Sequence, residues 1–202
     1  MFKDPHLIRT IGWDLDGVLA DYITWWSEIM ELEGFGVPIQ RKFNLGFTQE
    51  EFNPIHDRLV MDRQMFRKFQ PYHGAVQTTH TLARLGLRQL AITRRQSCTG
   101  HEGIERVVRC DTNWWLAQIG FPATSPTVFC KGSKLQACVE AGVDVFVEDD
   151  LGNCREVDGK LNCEGRLIQA VLVVQDLSEA DVFHRTVFCP SEVLPHLTSP
   201  SR

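Results

Sequence analysis

Residues 11–21 read Ile11-Gly12-Trp13-Asp14-Leu15-Asp16-Gly17-Val18-Leu19-Ala20-Asp21. The apolar start of this stretch predicts a buried strand, and the glycine after the two carboxylates lets the chain turn away. Because alternate strand residues point the same way, we expect Asp14 and Asp16 to leave the sheet together at its carboxyl edge, where ligands of parallel α/β sheets gather. Two like charges so close favour a cation, and Mg²⁺ is the hard divalent ion that prefers carboxylate oxygens.

The composition is that of an ordinary globular protein. A chain of 202 residues, 43% hydrophobic and 23% charged, holds one α/β domain with a small insertion. The net charge of −5 argues against binding of long nucleic acids. No apolar run approaches the roughly 18 residues of a membrane span, and the charged amino terminus does not resemble a signal peptide.

The cysteines predict a reducing compartment. There are seven, their spacing is irregular, and none forms a C-x-x-C pair, which argues against both a disulfide framework and a zinc knuckle. Reduced, mostly buried thiols in a cytoplasmic protein are the simplest interpretation. A small disulfide-closed loop between Cys154 and Cys163 is the alternative. The seven positions are Cys98, Cys110, Cys130, Cys138, Cys154, Cys163 and Cys189.

Residues 21–72 have a helical pattern, are rich in aromatic residues and are interrupted by glycines and prolines. They are interpreted as a helical cap inserted after the first strand. One helix is predicted around Trp25–Leu32 and a second around Phe52–Met61, where Thr48 and Glu51 form a capping box ahead of the apolar positions. Residues 1–20 and 73–197 would then form the core, with a flexible tail over 198–202.

In the core, strands alternate with helices, which predicts an α/β fold: a Rossmann-like, mostly parallel sheet sandwiched by helices. Near 110–113 the helix after the second strand is expected to be interrupted, and Asp158-Gly159 is a hairpin signal. Ser133 and Gln136 predict a further capping box. The predicted strands cover 87–93, 128–130, 143–147, 167–174 and 186–189, and the first core helix covers 75–85.

Residues 14–21 are similar to the first motif of the haloacid dehalogenase superfamily, D-x-D-G-x-x-x-D. Three further clusters match the later motifs of that superfamily in order: Thr93, Lys134, and the acids Glu148, Asp149 and Asp150. Four matches in register over roughly residues 10 to 150 are far more specific than one, and they cover about three quarters of the chain.

The resemblance implies a phosphohydrolase site. Asp14 would be the nucleophile and Asp16 the general acid/base. Family members that dehalogenate lack an acid at the position of Asp16, so phosphate chemistry is favoured. Mg²⁺ would be held by Asp14, the backbone carbonyl of Asp16 and Asp149. The substrate phosphate would be bound by Thr93 and Lys134, with Arg94 as a further candidate.

Two assignments stay open at this point. Lys131 is three residues before Lys134 and has the chemistry to replace it. The family usually has aspartate where Glu148 stands, so the register of the three acids is uncertain and Asp150 is an alternate ligand.

The substrate is expected to be a small phosphomonoester. The place of the cap and the wording D-G-V-L-A-D resemble the 5′-nucleotidase branch that includes the 5′(3′)-deoxyribonucleotidases, which implies a nucleoside monophosphate. Two features depart from that branch: Thr93-Arg94-Arg95 replaces Thr-Ser-Pro, and 158–165 is an insertion. The aromatic candidates for base stacking, each more often a core residue, are Trp25, Trp26, Phe43, Phe47 and Phe66.

Three alternative functions and one partner, a second copy of the chain, stay open. A sugar phosphate or the 3′-phosphate end of a nucleic acid would use the same chemistry, and a non-catalytic phosphate-binding protein would keep the fold without turnover. Pairing of two copies through their caps, giving a homodimer, is compatible with the sequence.

Overall fold

The computed structural model describes residues 8–34, 47–174, 183, 185–193 and 197. Phe43 and the tail over 198–202 lie outside them. The strands are β1 (Thr10–Trp13), β2 (Ala20–Asp21), β3 (Gln70–Pro71), β4 (Arg88–Thr93), β5 (Val128–Phe129), β6 (Val145–Glu148), β7 (Gln169–Val173) and β8 (Thr186–Val187). The helices are α1 (Tyr22–Leu32), α2 (Gln49–Arg63), α3 (Met65–Lys68), α4 (Ala75–Arg84), α5 (Glu102–Gln118), α6 (Lys134–Glu140) and α7 (Leu151–Val157).

The predicted α/β fold is confirmed. Over the described residues, one sheet has the strand order β5-β4-β1-β6-β7-β8, and each of its pairings is parallel. The residues of β1 and β6 are all buried, as expected for central strands covered on both faces. The chain runs from β1 to β4 and β5 on one side and then crosses to β6 on the other, which creates a crevice at the carboxyl end of β1.

The chain folds into two compact units. The first comprises Met1–Leu19, Pro71–Arg94 and Gly120–Arg202, and the second comprises Ala20–Gln70 and Arg95–Ile119. Residues 95–119, which the sequence placed in the core, therefore group with the helices of the cap. We call the two parts the sheet unit and the helical unit. No helix among the described residues is long and apolar enough to cross a membrane.

Helix α5 corrects one sequence expectation, because it runs without a break through the polar residues 110–113. Asp111 and Thr112 are buried on this helix, and their partners come from elsewhere in the helical unit: Arg67 bonds Asp111 at 2.7 Å and Arg95 bonds Thr112 at 3.5 Å. Both residues are thus buried and bonded by side chains distant in sequence, although Asp111 Oδ2 has no hydrogen-bond partner among the described residues.

The two predicted capping boxes have different outcomes. In α2, the Thr48 hydroxyl accepts from Glu51 N at 3.3 Å and the Glu51 carboxylate accepts from Thr48 N at 2.8 Å, as predicted. In α6, Ser133 is the cap, but it accepts from Leu135 N at 3.0 Å and donates to Glu156, while Gln136 donates to Glu140 instead. The second box was therefore a wrong prediction.

The insertion over 158–165 closes the amino edge of the sheet. Its turn lies at 162–165, with Gly165 N bonded to Asn162 O at 2.9 Å, rather than at the predicted Asp158-Gly159. Asn162 donates to Asp144 Oδ1 at 3.1 Å, and Arg166 donates to the same oxygen. Because Asp144 also accepts from the backbone of Thr10 at 3.0 Å, the insertion is tied to the start of β1.

Candidate active site

Three neighbouring strands deliver polar side chains to the carboxyl edge of the sheet. Asp14 directly follows β1, Thr93 is the last residue of β4, and Glu148 is the last residue of β6. Since β1 pairs with both other strands, their ends are adjacent. Asp14 N donates to Val147 O at 2.9 Å, which fixes the start of the Asp14 loop against β6.

Lys134 links two of the acids. Its Nζ lies 2.8 Å from Asp14 Oδ2 and 2.7 Å from Glu148 Oε2, and its side chain is almost entirely buried. Lys131 is exposed and forms no ion pair within the part of the chain that the structure describes. Of the two lysines, only Lys134 reaches the acidic cluster.

The three consecutive acids have three different roles. Glu148 gives one oxygen to Lys134, while its Oε1 accepts from the backbone N of Asp149 at 3.2 Å and of Asp150 at 3.1 Å. Asp150 caps α7 by accepting from Asn153 N at 2.8 Å. Asp149 is the acid that faces the site, with a carboxylate oxygen within 4.8 Å of ligand atoms of Asp14 and Glu148.

Gly17 is required at its position in the loop after β1. Its φ of +84° is in the left-handed region, and a Cβ there would lie 2.0 Å from Asp149 Oδ2. The loop that carries Asp16 therefore passes directly against the Asp149 side chain. The Asp-Gly pair of the first motif thus has a steric reason as well as a conformational one.

The electrostatics of the cluster favour a cation. Burial, followed by the charge of Glu148, raises the pKa of Asp14 to about 8, and Lys134 offsets these effects only in part. Burial and the charges of Asp14 and Glu148 likewise raise the pKa of Asp149. Burial alone would lower the pKa of Lys134, but the two carboxylates outweigh it and raise the pKa. Three carboxylates share one ammonium group, so the donor set fits an oxygen-preferring divalent ion such as Mg²⁺.

The remaining predicted residues surround this cluster. Asp16 is half-buried, and its carboxylate lies outside the group formed by Asp14, Glu148 and Asp149. Thr93 is buried, and its carbonyl accepts from Cys130 N at 2.9 Å, which ties β4 to the loop leading to Lys134. Arg94 is exposed and donates through Nε to Gly132 O of that same loop at 3.2 Å.

The aromatic candidates belong to the helical unit and are mostly core. Trp26 and Phe66 are buried: Trp26 packs on Phe52 with ring centroids 5.6 Å apart, and Phe66 packs on Phe69 at 5.8 Å. Trp25 and Phe47 are half-buried. Burial in the core leaves Trp26 and Phe66 unsuited to stacking on a base.

Arg95 is a buried cation that sequence reasoning missed. Its guanidinium lies 4.7 Å from the ring centroid of Phe66, 5.2 Å from Phe69 and 5.3 Å from Trp115. Adjacent arginines in a sequence do not reveal that one is exposed and the other surrounded by aromatic rings. The aromatic richness of the cap is the only signal that indicated such a cluster.

A second group with metal-ligand atoms, formed by His56, Asp57 and Cys98, is better explained as structural. The Asp57 carboxylate already accepts from Ser97 Oγ at 2.7 Å and from Cys98 N at 2.8 Å, and it contacts His56 Nδ1 at 3.0 Å. Burial and the Asp57 charge raise the pKa of Cys98 to about 12, so the thiol stays protonated at neutral pH. Neither the Asp57 carboxylate nor the Cys98 thiol is ready to bind a metal.

All seven cysteines are free. Cys154 is buried and Cys163 is exposed, and the two are not bonded to each other. Only Cys138 and Cys154 are buried, so the expectation of mostly buried thiols was wrong.

Solved structures share this fold. A hydrolase of the haloacid dehalogenase superfamily, family IA, from Entamoeba histolytica is 14% identical with a TM-score of 0.55, and the alignment covers 92% of this chain and 95% of that one. The L-2-haloacid dehalogenase of Xanthobacter autotrophicus is 13% identical with a TM-score of 0.53, covering 96% and 100%. The D,D-heptose 1,7-bisphosphate phosphatase of Burkholderia thailandensis is 12% identical with a TM-score of 0.53, covering 95% and 99%.

At these identities the likeness establishes the fold alone. It does not single out the 5′-nucleotidase branch, because both a dehalogenase and a phosphatase are among the similar structures. No protein-family model and no curated protein matches the chain.

Proposed function

We propose that the protein is a Mg²⁺-dependent phosphomonoesterase that hydrolyses a small phosphorylated metabolite through an aspartyl-phosphate on Asp14. The observation that supports it best is the buried ammonium of Lys134 between Asp14 and Glu148, with Asp149 beside them at the carboxyl edge of the sheet. A carboxylate attacks a phosphate only when positive charge neutralises the phosphate oxygens.

In the first step, an oxygen of Asp14 forms a bond to phosphorus while the bond from phosphorus to the leaving oxygen breaks. Asp16 donates its proton to that leaving oxygen. In the second step, water attacks phosphorus, Asp16 takes the proton of the water, and the Asp14 carboxylate is released with inorganic phosphate as product.

The other residues bind and orient the phosphate. Lys134 would pair with a phosphate oxygen as well as with Asp14, and Glu148 positions it from the opposite side. The Thr93 hydroxyl would donate a hydrogen bond to a second oxygen, and Arg94 stands next to it in the chain. Asp14, the Asp16 carbonyl and Asp149 would hold Mg²⁺, which supplies the remaining charge neutralisation when bound.

We propose nucleoside monophosphates as the first substrate class to test, because the wording of the first motif and the position of the cap resemble the nucleotidase branch. The burial of Trp26 and Phe66 removes two of the aromatic candidates for base recognition. Sugar phosphates and 3′-phosphate ends therefore belong in the same panel.

The test measures phosphate release from nucleoside 5′- and 3′-monophosphates, sugar phosphates and an aryl phosphate, with Mg²⁺ and with chelator. Mg²⁺-dependent release is expected. Chloride release from a 2-haloacid without phosphate release would contradict the proposal, as would tight nucleotide binding without turnover.

Two lysine variants provide a matched control. Lys134→Gln should lose about 100-fold or more in activity, because it removes the charge beside the nucleophile. Lys131→Gln, three residues earlier and exposed, should stay within about two-fold of the wild type. Circular dichroism would check that both variants fold, and equal activities would refute the role given to Lys134.

A further inference from the structure

The loop between β5 and α6, residues 130–133, carries Lys134 to the acidic cluster. Lys134 is the first residue of α6, a helix of only seven residues, and its ammonium group lies between Asp14 and Glu148. A shift of the loop moves the start of this helix and with it the lysine. The contacts that hold the loop therefore decide how well the ammonium group stays beside the nucleophile.

Packing does little to fix the middle of the loop. Lys131 and Gly132 are exposed, and a Cβ added at Gly132 would meet no atom within 4 Å apart from its chain neighbours. Glycine also has the greatest backbone freedom of all residues. The position of this part of the loop thus depends on hydrogen bonds.

The two ends of the loop are bonded to neighbouring elements. At the first end, the backbone N and the Sγ of Cys130 both donate to Thr93 O, at 2.9 and 3.2 Å. At the second end, Ser133 Oγ accepts from Leu135 N at 3.0 Å and donates to Glu156 of α7 at 2.6 Å. The ends are thereby fixed to β4 and to α7, and the middle needs a third contact.

Arg94 supplies that third contact. Its Nε donates to Gly132 O at 3.2 Å, two residues before Lys134. Arg94 directly follows the last residue of β4, so its exposed side chain joins the end of that strand to the middle of the loop. Arg94 forms no ion pair with another of the described residues, and the loop carbonyl is the group that orients its guanidinium.

We propose that Arg94 is a positioning residue, which holds the loop against the end of β4 so that the Lys134 ammonium stays beside Asp14. In this role the N–H donor at Nε matters and the positive charge does not. A direct contact with the substrate phosphate, which the family resemblance implies for Arg94, would depend on the charge instead. The inference rests on the proposed function, since the place of Lys134 affects a rate only if the site turns over phosphate.

Three variants of Arg94 separate the donor from the charge. In Arg94→Gln the amide nitrogen takes the place of Nε, because both nitrogens directly follow Cδ, and the charge is removed. Arg94→Lys keeps the charge but has a methylene group where Nε was. Arg94→Met has a methyl group at that place and keeps neither the donor nor the charge. The side chain is exposed, so all three variants are expected to fold.

The kinetic test measures Mg²⁺-dependent phosphate release and its inhibition by inorganic phosphate. Arg94→Met and Arg94→Lys should each lower kcat about five-fold, the effect of one hydrogen bond, and Arg94→Gln should recover most of that loss. KM and the inhibition constant of phosphate should change by less than about two-fold in all three. Lys131→Gln removes an exposed charge from the same loop and is the control.

Hydrogen exchange of the full chain tests the contact without any turnover. The amides of residues 131–135 should exchange about five-fold faster in Arg94→Met and Arg94→Lys than in the wild type, and Arg94→Gln should remain close to the wild type. If the wild type releases no phosphate, the proposed function fails, and the exchange rates still decide whether Arg94 holds the loop.

Two results would each overturn the proposal. The first is the reverse order of kcat, in which Arg94→Lys matches the wild type and Arg94→Gln is as slow as Arg94→Met, because activity would then follow the charge. The second is exchange of residues 131–135 that is the same in Arg94→Met as in the wild type.

Discussion

Asp14→Asn removes a buried carboxyl group whose ionisation the fold disfavours, so we expect the variant to lose phosphatase activity and yet to unfold at a higher temperature than the wild type in metal-free buffer. Asp14 lies beside Glu148 and Asp149, so its charged form costs free energy in the folded chain although Lys134 is close. The amide keeps the size of the side chain and removes this cost. Catalysis and stability should therefore change in opposite directions.

The magnitude follows from the pKa of Asp14, which burial and Glu148 raise to about 8, against about 3.9 in an unfolded chain. Because the folded value is the higher one, the penalty is absent below about pH 4, grows with pH and levels off above about pH 8. At pH 7 it amounts to roughly three pKa units, or about 4 kcal/mol. Asparagine copies the neutral acid imperfectly at its contact with Lys134, so we expect the variant to gain about half of this free energy. That corresponds to an increase of roughly 6 °C in Tm.

The assay is thermal unfolding of both proteins at pH 5, 7 and 8 without divalent ions, followed by addition of Mg²⁺. The advantage of the variant should increase from pH 5 to pH 8, and Mg²⁺ should stabilise the wild type more than the variant. Asp16→Asn is the control: among the named causes, its charge raises the pKa of Asp14 least, so the variant should reduce activity without a comparable gain in Tm. A variant of Asp14 that melts at or below the wild type at pH 8 would show that its ion pair with Lys134 outweighs burial, and would refute the reasoning.

Three further predictions concern other parts of the molecule. Gly17→Ala should lose most Mg²⁺-dependent activity, because the new Cβ would displace the Asp149 carboxylate and because alanine is strained at the positive φ of residue 17. Retained Mg²⁺ dependence in a phosphate-release assay would contradict this. Glu148→Gln should lower kcat more than it raises KM, since it leaves Lys134 in place with a weaker partner, and a change in KM alone would argue against positioning. Burial opposes the charge of Asp57, but hydrogen bonds from His56, Thr99 and Ser97 outweigh it and lower its pKa, so its stabilisation is present above about pH 4 and is lost on acidification. Asp57→Asn should therefore be less stable at pH 7 in urea unfolding and lose less stability between pH 5 and pH 3 than the wild type.

The carboxyl edge of the sheet was predictable because its signals are local. An apolar strand followed at once by acids recurs at Asp14 and Glu148, and the period of two places alternate side chains on one face. Parallel pairing of β1 with β4 and β6 then brings the strand ends together without further information. Thr93 and Lys134 were assigned from the order of the motifs in the family resemblance, and their roles stay a prediction.

The contacts inside the site were less predictable, because they depend on geometry that spacing does not record. Nothing in the run Glu148-Asp149-Asp150 indicates which acid bonds the lysine, which faces the site and which caps a helix. The structure separates them: Glu148 reaches Lys134, Asp149 lies against Gly17, and Asp150 accepts from the start of α7. The choice is set by the direction of each side chain at the end of β6.

The helical unit was hardest to predict, because polar residues are buried there by partners far away in sequence. Asp57 accepts from Ser97 and Thr99, about forty residues later, and Arg95 lies among aromatic rings from two other segments. Sequence patterns alone place such residues at the surface or at breaks. The same cause explains why residues 95–119 were assigned to the core, since the residues that they pack against within 20–70 are all distant in sequence.

The excess of carboxylates distinguishes between displacement at carbon and displacement at phosphorus as the reaction that this site would support. Displacement at carbon needs one nucleophilic carboxylate, for which Lys134 is a sufficient counter-ion. Displacement at phosphorus places negative oxygens on the attacked atom itself, so the nucleophile and substrate repel each other unless a further cation bridges them, whereas a 2-haloacid carries its charge on a neighbouring carboxylate. Asp149 adds a negative charge close to Asp14, which would hinder the first reaction and would provide a metal ligand for the second. Together with Asp16, it is the residue whose presence argues most strongly for phosphate as the group transferred.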